Sequence, residues 1–404
     1  MRYAPNEDLN WLLNFAKTTY LPTETDSPLA QEFPHAAHEL AHAAGLFDLP
    51  LPRSIGGKEF GVTDLAWTIR YLSRSSPSAA ATFIGNLLGL SAVLLYAPAP
   101  LRDSILSSLD RDRLELWSFA MTEAEAGSDL MNIATRAVRQ NNGGFILSGE
   151  KNFITNASYS RRLCVFAREL DEAGNDHGIS CFFVPGDAPG LRRGPVMSKT
   201  AWRKANTGTL IFHEVALAPD ARLGEPGAGL RILTHCLNRS KTLLGAMGVG
   251  IADRALELVT ARLEETERFG KSLIDQPVLR HELARHHTEN EAAWLMTLKA
   301  AATWDAGADA TTESSQAKWI SGRTSAKITS AAVEYFGARG LFNDYEISRL
   351  SNDAKAVEIV EGPSLVQELL VGRALLPKRK TPAATGAAPK GDFILRPNEL
   401  KKAV

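Results

Sequence analysis

The chain predicts an α+β protein, mainly α, built as an N-terminal helical domain, a middle antiparallel β domain closing as a small barrel, and a C-terminal four-helix bundle. Three observations predict it. Apolar residues recur at three- and four-residue spacing up to about residue 115. From 116 to about 223 the pattern turns to short alternating or wholly apolar runs bounded by Gly, Asn, Asp and Pro. After Gly224 to Gly229, long amphipathic runs return. The divisions expected are therefore 1–115, 116–223 and 224–376, followed by a Lys-, Pro- and Ala-rich flexible tail at 377–404.

In the first part, helices are expected over Leu9 to Thr18, His35 to Gly45, Thr63 to Ser73 and Ala79 to Leu95. Gly45, Gly56-Gly57 and Pro77 punctuate them. In the middle part GGFILSG, RLCVFARE, ISCFFVPG and TGTLIFHEVAL read as strands, and Asn141-Asn142-Gly143-Gly144 as a hairpin turn. The last part offers helices over Ile232 to Thr266, Val278 to Trp304, Ser315 to Phe336 and Ser364 to Leu375.

A chain of 404 residues exceeds one compact core. Its 45 basic and 46 acidic residues leave a net charge of -1, which gives no attraction to nucleic acid or an anionic membrane. Three cysteines (Cys164, Cys181 and Cys236), widely spaced and without a CxxC, exclude a disulfide scaffold and fit a reducing cytoplasm. No charge falls between Arg74 and Arg102, long enough to span a bilayer. Pro77, Asn86, Ser91, Pro98 and Pro100 break that stretch and no aromatic belt flanks it, so a buried core helix is expected.

The chemistry-bearing stretches come in a fixed order. Ile55-Gly56-Gly57 is followed by FAMTEAEAGSD (Phe119 to Asp129), SGEKNFITN (Ser148 to Asn156), Arg268-Phe269-Gly270-Lys271, Gly337-Ala338-Arg339-Gly340 and VEIVEGPSLVQ (Val357 to Gln367). Glycine-freed amides beside short hydroxyls can hold a polar planar ligand or a phosphate, although Gly-Ser-Asp alone is ordinary turn chemistry. The succession, over about residues 30 to 376, resembles the acyl-CoA dehydrogenase family. That resemblance implies FAD, a homotetramer or other homo-oligomer, and desaturation of an acyl-CoA or carrier-protein thioester. It also implies that electrons pass to an electron-transferring flavoprotein.

Desaturating a thioester means removing an α-proton and moving the β-hydrogen as hydride, which no side chain accepts. The candidate base is Glu361, between an apolar run and a glycine, where burial raises a carboxylate's pKa. By resemblance the hydride goes to flavin N5, and the Glu361 N–H with a ribityl hydroxyl holds the enolate oxygen. Val360 and Pro363 depart from the family's tyrosine and threonine. The alternative base position early in the last domain's first helix is Ser240 or Asn238, neither of them acidic.

The cofactor residues implied by resemblance are Phe119, Thr122, Gly127, Ser128, Phe153 (where tryptophan is usual), Thr155, Arg268, Phe269, Gln276, Gly337 and Gly340. The substrate residues so implied are Ser128, Arg239, Lys241 and Gly362. Thr266 stands where the family has a pyrophosphate-binding arginine, Pro277 where it has a glutamine, and Ala338 where it has a second glycine. Losing one charge-assisted phosphate contact costs about 1.5–3 kcal/mol, with Arg268 the neighbouring replacement.

Three competitors are weighed. A flavin-dependent monooxygenase on the same fold typically lacks the glutamate. A flavin-binding scaffold has no need of one. His38-Glu39-Leu40-Ala41-His42 is an HExxH, the zinc-peptidase pattern, with no identifiable downstream ligand. His281, His286 and His287 are expected on a helix surface.

Overall fold

A computed structural model describes residues 4–127, 129–268 and 270–376. Ser128, Phe269 and the tail at 377–404 lie outside the described residues. The N-terminal part opens with α1 (Leu12–Phe15), a π-helical turn at Ala16–Tyr20 and α2 (Leu21–Thr25). Then come α3 (His35–Ala43), α4 (Val62–Ser75), α5 (Pro77–Tyr96) and α6 (Ala99–Ser107). The expected first run thus continues to Thr25, and α6 is an additional helix, opening on the Pro100 that periodicity reads as a break. A proline in a first turn gives up only an amide that has no helical partner.

Ser76 divides α4 from α5. It is extended, as the residue before a proline should be, and its Oγ accepts from Ala79 N at 3.0 Å. The same hydroxyl donates to the buried Glu24 at 2.6 Å. Helix α5 is long and apolar enough to cross a membrane, but most of it is buried against α4, α7 and β1. It is a core helix.

The middle part is β1 (Leu116–Ala120), β2 (Arg136–Arg139), β3 (Phe145–Thr155), β4 (Ser160–Leu170), β5 (Asp176–Pro185), β6 (Leu191–Val196), β7 (Thr207–Leu217) and β8 (Arg222–Leu223). The order is β6-β7-β3-β2-β4-β5-β8, with β1 on β4. Most pairings are antiparallel, but β1 and β2 both run parallel to β4. Alternation reports which face a residue takes, not which neighbour its strand finds. Gln140 N donates to Gly144 O at 2.9 Å to close the expected β2–β3 turn, with Gly143 left-handed at φ 82°.

The last part is α7 (Gly229–Glu265), the small hairpin β9 (Glu267–Arg268) and β10 (Lys271–Ser272), α8 (Pro277–Asp305), α9 (Thr311–Phe336), α10 (Glu346–Ile359) and α11 (Ser364–Leu375). Helix α10 adds a fifth helix to the four expected, burying Ile347, Leu350, Ala354 and Val357. Helix α7 is the axis of the molecule, packing on α4, α5, α8, α9 and α10. Its glycines allow that approach: a Cβ on Gly250 would sit 2.4 Å from Arg70 O of α4.

Charged groups sealed between the parts tie them together. Arg349 of α10 bonds Asp353 and Glu346, each at 2.9 Å, and lies 3.7 Å from Glu24 of α2. The loop from the sheet joins them, Trp202 N donating to Asp353 at 2.6 Å. His286 departs from its expected surface place. It is buried, its ring edge-on to Tyr335 and its Nδ1 3.8 Å from Glu289, while His281 and His287 are exposed.

Candidate active site

Glu361 follows α10 in a left-handed conformation, φ 52°, and Gly362 continues the turn at φ 93°. For a non-glycine residue such a conformation is strained and persists only where surrounding contacts enforce it. Here three contacts enforce it. Lys318 Nζ of α9 donates to Gly362 O at 2.6 Å, Gln367 Nε2 donates to the same oxygen at 2.9 Å, and Ser240 Oγ of α7 donates to Glu361 Oε1 at 2.8 Å.

The other carboxylate oxygen, Oε2, is closed from solvent and has no partner among the described residues. The Glu361 amide likewise makes no backbone hydrogen bond. Burial pushes the carboxyl up to about 7, against the Ser240 hydrogen bond and the charges of Lys318 and Lys241. Burial in turn lowers both lysines to about 8. Lys241 Nζ is held by Asn238 Oδ1 at 3.0 Å. The resulting group is a carboxyl that titrates near neutrality, with one oxygen and one amide unengaged.

Ser240 also lines a small cavity of about 20 Å³, with Val62 and Leu65 of α4, Ile84, Leu87, Leu88 and Ser91 of α5, and Cys236, Arg239 and Leu243 of α7. The cavity therefore adjoins the Glu361 carboxylate through the serine that holds it. A larger cavity of about 750 Å³ lies between the N-terminal helices and the sheet. Two of its arginines are engaged, Arg162 with Glu115 at 2.7 Å and Arg193 with backbone oxygens of Gly186 and Ser160.

The implied cofactor residues fall into two groups. Ser118 Oγ donates to Thr155 O and Asn152 N to Thr122 O, each at 2.8 Å, so Phe119, Thr122, Phe153 and Thr155 share one lip of the sheet. Phe153 is left-handed, φ 61°, and is 62% exposed. Phe119 is partly buried instead, its ring 4.8 Å from Phe166. Gly127 has open space where a Cβ would stand.

The second group is elsewhere. Arg268 is exposed on β9, donating to Glu267 O, and Gln276 precedes α8. Gly337 ends α9 at φ 61°, ψ -142°, a region glycine alone occupies comfortably. A Cβ on Gly340 would meet Val333 O at 2.5 Å. No hydrogen bond among the described residues joins this group to the first. Ser128 and Phe269 lie outside the described residues.

Glu123, in the same motif as Thr122, is a structural residue. It accepts from Lys151 Nζ at 2.6 Å, and from Thr135 Oγ1, Thr135 N and Ala134 N. The HExxH residues also have separate engagements. His38 is buried, stacked on Phe33 and bonded through Nδ1 to Tyr20 OH at 2.9 Å, and burial beside His35 lowers it to about 3. His42 Nε2 meets Arg111 O at 3.2 Å, and Glu39 accepts from Leu114 N. These residues hold α3 against its neighbours.

FAD needs an aromatic surface for its ring, hydroxyls for its edge and glycine where phosphates pass. The uncovered Phe153 ring, the hydroxyls of Thr122 and Thr155, and the open side of Gly127 fit those needs.

Comparison with known proteins agrees along the chain. Residues 10–111 match the N-terminal domain of acyl-CoA dehydrogenase, 118–215 its middle domain and 227–376 its C-terminal domain. A cyclohex-1-ene-1-carbonyl-CoA dehydrogenase of Geobacter metallireducens is 32% identical over 85% of this chain and 90% of its own. The butyryl-CoA dehydrogenase of Megasphaera elsdenii superposes with TM-score 0.87 at 26% identity, covering 93% of this chain and all of that one. An FAD complex of PigA shares the fold, with TM-score 0.84 at 23% identity over 93% and 99% of the two chains. The chain belongs to the acyl-CoA dehydrogenase family and is an FAD-dependent oxidoreductase.

Proposed function

We propose that the protein desaturates an acyl thioester at Cα–Cβ to the trans-2-enoyl thioester, with Glu361 as the base. The observation that carries this reading is the Glu361 carboxyl itself, strained, buried, half-engaged and poised near 7 beside an apolar cavity. A general base works best when its pKa lies near the operating pH. Glu361 takes the α-proton, and the pair of that C–H bond becomes the second bond of the alkene. The β-hydrogen leaves with its own bonding pair, and FAD, when bound, accepts it as hydride.

The remaining residues serve that transfer. Ser240 holds Oε1 and so fixes the carboxylate's orientation. The unengaged Glu361 amide is available to the thioester oxygen as charge builds there. Lys318 and Gln367 grip Gly362 O and keep the turn from relaxing to ordinary backbone. Phe153, Thr122, Thr155 and Gly127 are proposed for the cofactor of the same chain. Arg268, Gln276, Gly337 and Gly340 are proposed for that of a neighbouring copy. Leu341, Phe342, Leu365, Leu375 and Leu376, exposed around the end of α9 and along α11, suit burial in such a homo-oligomer, proposed as a tetramer. The acyl carrier is CoA or a carrier protein, the electron acceptor an electron-transferring flavoprotein, and the setting the cytoplasm.

The visible spectrum during anaerobic addition of a panel of acyl thioesters tests this, the panel including the ring-bearing acyl group in the name of the Geobacter relative. Bleaching of the flavin band by a member of the panel is expected. A flavin band that no thioester bleaches, yet that reacts with oxygen after chemical reduction, would replace the proposal with a monooxygenase.

A further inference from the structure

A buried ammonium beside Glu361 is held off it. Lys241 of α7 is 6% exposed, and its Nζ donates to Asn238 Oδ1 at 3.0 Å inside the protein. It makes no ion pair among the described residues, although its charge acts on Glu361. Lys318 of α9, the second ammonium near the carboxylate, donates to Gly362 O instead. Lys151 shows the alternative: equally withdrawn from water, its Nζ lies 2.6 Å from the Glu123 carboxylate. Glu361 Oε2 meanwhile has no partner among the described residues.

A buried ammonium and carboxylate attract strongly, and they pair unless a competing contact holds one of them. The competing contact is Asn238, itself buried. Its Nδ2 donates to Thr311 Oγ1 at 2.8 Å, and Thr311 Oγ1 donates to Asp309 Oδ1 at 2.6 Å at the start of α9. The bond to Thr311 fixes which way the amide faces, so Oδ1 is turned to Lys241. A neutral oxygen thus engages a charge that would otherwise close Oε2.

We infer that Asn238 is a positioning residue: it pins the Lys241 ammonium away from Glu361 Oε2 and so leaves that oxygen free to take the α-proton. This rests on the proposed dehydrogenation and adds a residue to its machinery. The charged groups facing Glu361 are Lys241 from α7 and Lys318 from α9, while Glu358 of α10 acts on Lys318 and α11 contributes the neutral Gln367. From its pinned place Lys241 only tempers the rise that burial gives the carboxyl. In direct contact it would engage the lone pairs that the proton needs. An opposite charge at that range pulls a carboxyl's pKa down by about 1–3.

The test follows Glu361 by infrared titration of the FAD-loaded enzyme, as the difference between each protein and the same protein carrying Glu361→Gln. The stretch of the protonated carboxyl that vanishes with Glu361 reports its titration without turnover. The pH dependence of flavin reduction by butyryl-CoA is measured alongside. In Asn238→Ala, Lys241 is released onto Oε2, so the inflection should fall by about one pH unit or more and the maximal rate by roughly tenfold. Asn238→Asp gives Lys241 a charged acceptor, so Oε2 stays free and the inflection should rise. In a Lys241→Met background, Asn238→Ala should leave the inflection where Lys241→Met alone puts it. A general loosening of the junction between α7 and α9 would neither change sign between the two variants nor vanish with the lysine.

An inflection unmoved in Asn238→Ala, or one that falls equally when Lys241 is already methionine, would overturn the inference while leaving the dehydrogenation intact. So would a fall in Asn238→Asp. Should Asn238→Ala not fold, Asn238→Leu keeps the volume, removes the acceptor and takes its place in both backgrounds. If butyryl-CoA does not reduce the wild-type flavin, the infrared shifts decide by themselves. Flavin reduction undiminished in Glu361→Gln is a separate failure: it removes Glu361 as the base, and this inference with it.

Discussion

Glu361 owes its properties to its neighbours, and those neighbours make its behaviour testable. Its carboxyl is raised to about 7, so its protonated form is favoured below that pH. Only the ionised form accepts a proton. In the free enzyme, kcat/KM for flavin reduction should therefore rise with pH to an inflection near 7, falling about tenfold per unit below it. Lys318 opposes the upward shift through its charge. Replacing it by methionine should move the inflection to higher pH and slow reduction at neutral pH, because the Gly362 carbonyl also loses its donor. An inflection unmoved in that variant would remove Lys318 from the electrostatics of the site. At this scale the glutamate was legible, because an acidic residue between an apolar run and a glycine asks for an explanation. Ser240, Lys318 and Gln367 were not legible as its partners, since they lie 121, 43 and 6 residues away and only the tertiary packing of α7, α9 and α11 joins them.

Between elements, backbone approach sets the flavin lip. Helix α5 lies against β1 and the end of β3, and a Cβ on Gly85 would stand 2.7 Å from Thr155 Cγ2 and 3.1 Å from Thr155 Cβ. Asn156, next in line, is left-handed at φ 64° and donates to Thr82 O at 3.1 Å and Trp117 O at 3.0 Å, stitching helix to sheet. Gly85→Ala should therefore overpack this joint, at about 1–3 kcal/mol, and displace Thr155. Titration of the apoprotein with FAD should show weaker binding together with a lower melting temperature; unchanged FAD affinity would separate Thr155 from the cofactor. The long helices were legible because their apolar spacing persists for many turns. Helix α10 was missed although its buried stripe is regular. The parallel pairings of β1 and β2 with β4 depend on which strand arrives beside which, and no local pattern encodes that. His286 was misplaced for a related reason: the Tyr335 that covers it is 49 residues away.

For the whole molecule, the three parts hold one another through charge as well as apolar burial. Glu24 from the first part and Arg349 and Asp353 from the last are almost wholly enclosed, and the sheet's Trp202 binds Asp353 through its backbone amide. Removing one member of such a set leaves the others buried and uncompensated, at about 3–5 kcal/mol. Arg349→Met should lower stability by that amount in urea unfolding of the holoprotein, and a loss below about 1 kcal/mol would show the network to be dispensable. The three-part plan was legible from the change of period near residues 116 and 224. The charged joint was not, because its members are spread from Glu24 to Asp353.

The central claim is that Glu361 abstracts the α-proton, and the most direct measurement is rapid-mixing flavin reduction in Glu361→Gln. The amide keeps the volume of the carboxyl but cannot accept the proton. FAD content and thioester affinity should stay near wild type while the rate of reduction falls by at least a hundredfold. Reduction at an appreciable fraction of the wild-type rate, in a variant that still binds FAD, would place the base elsewhere.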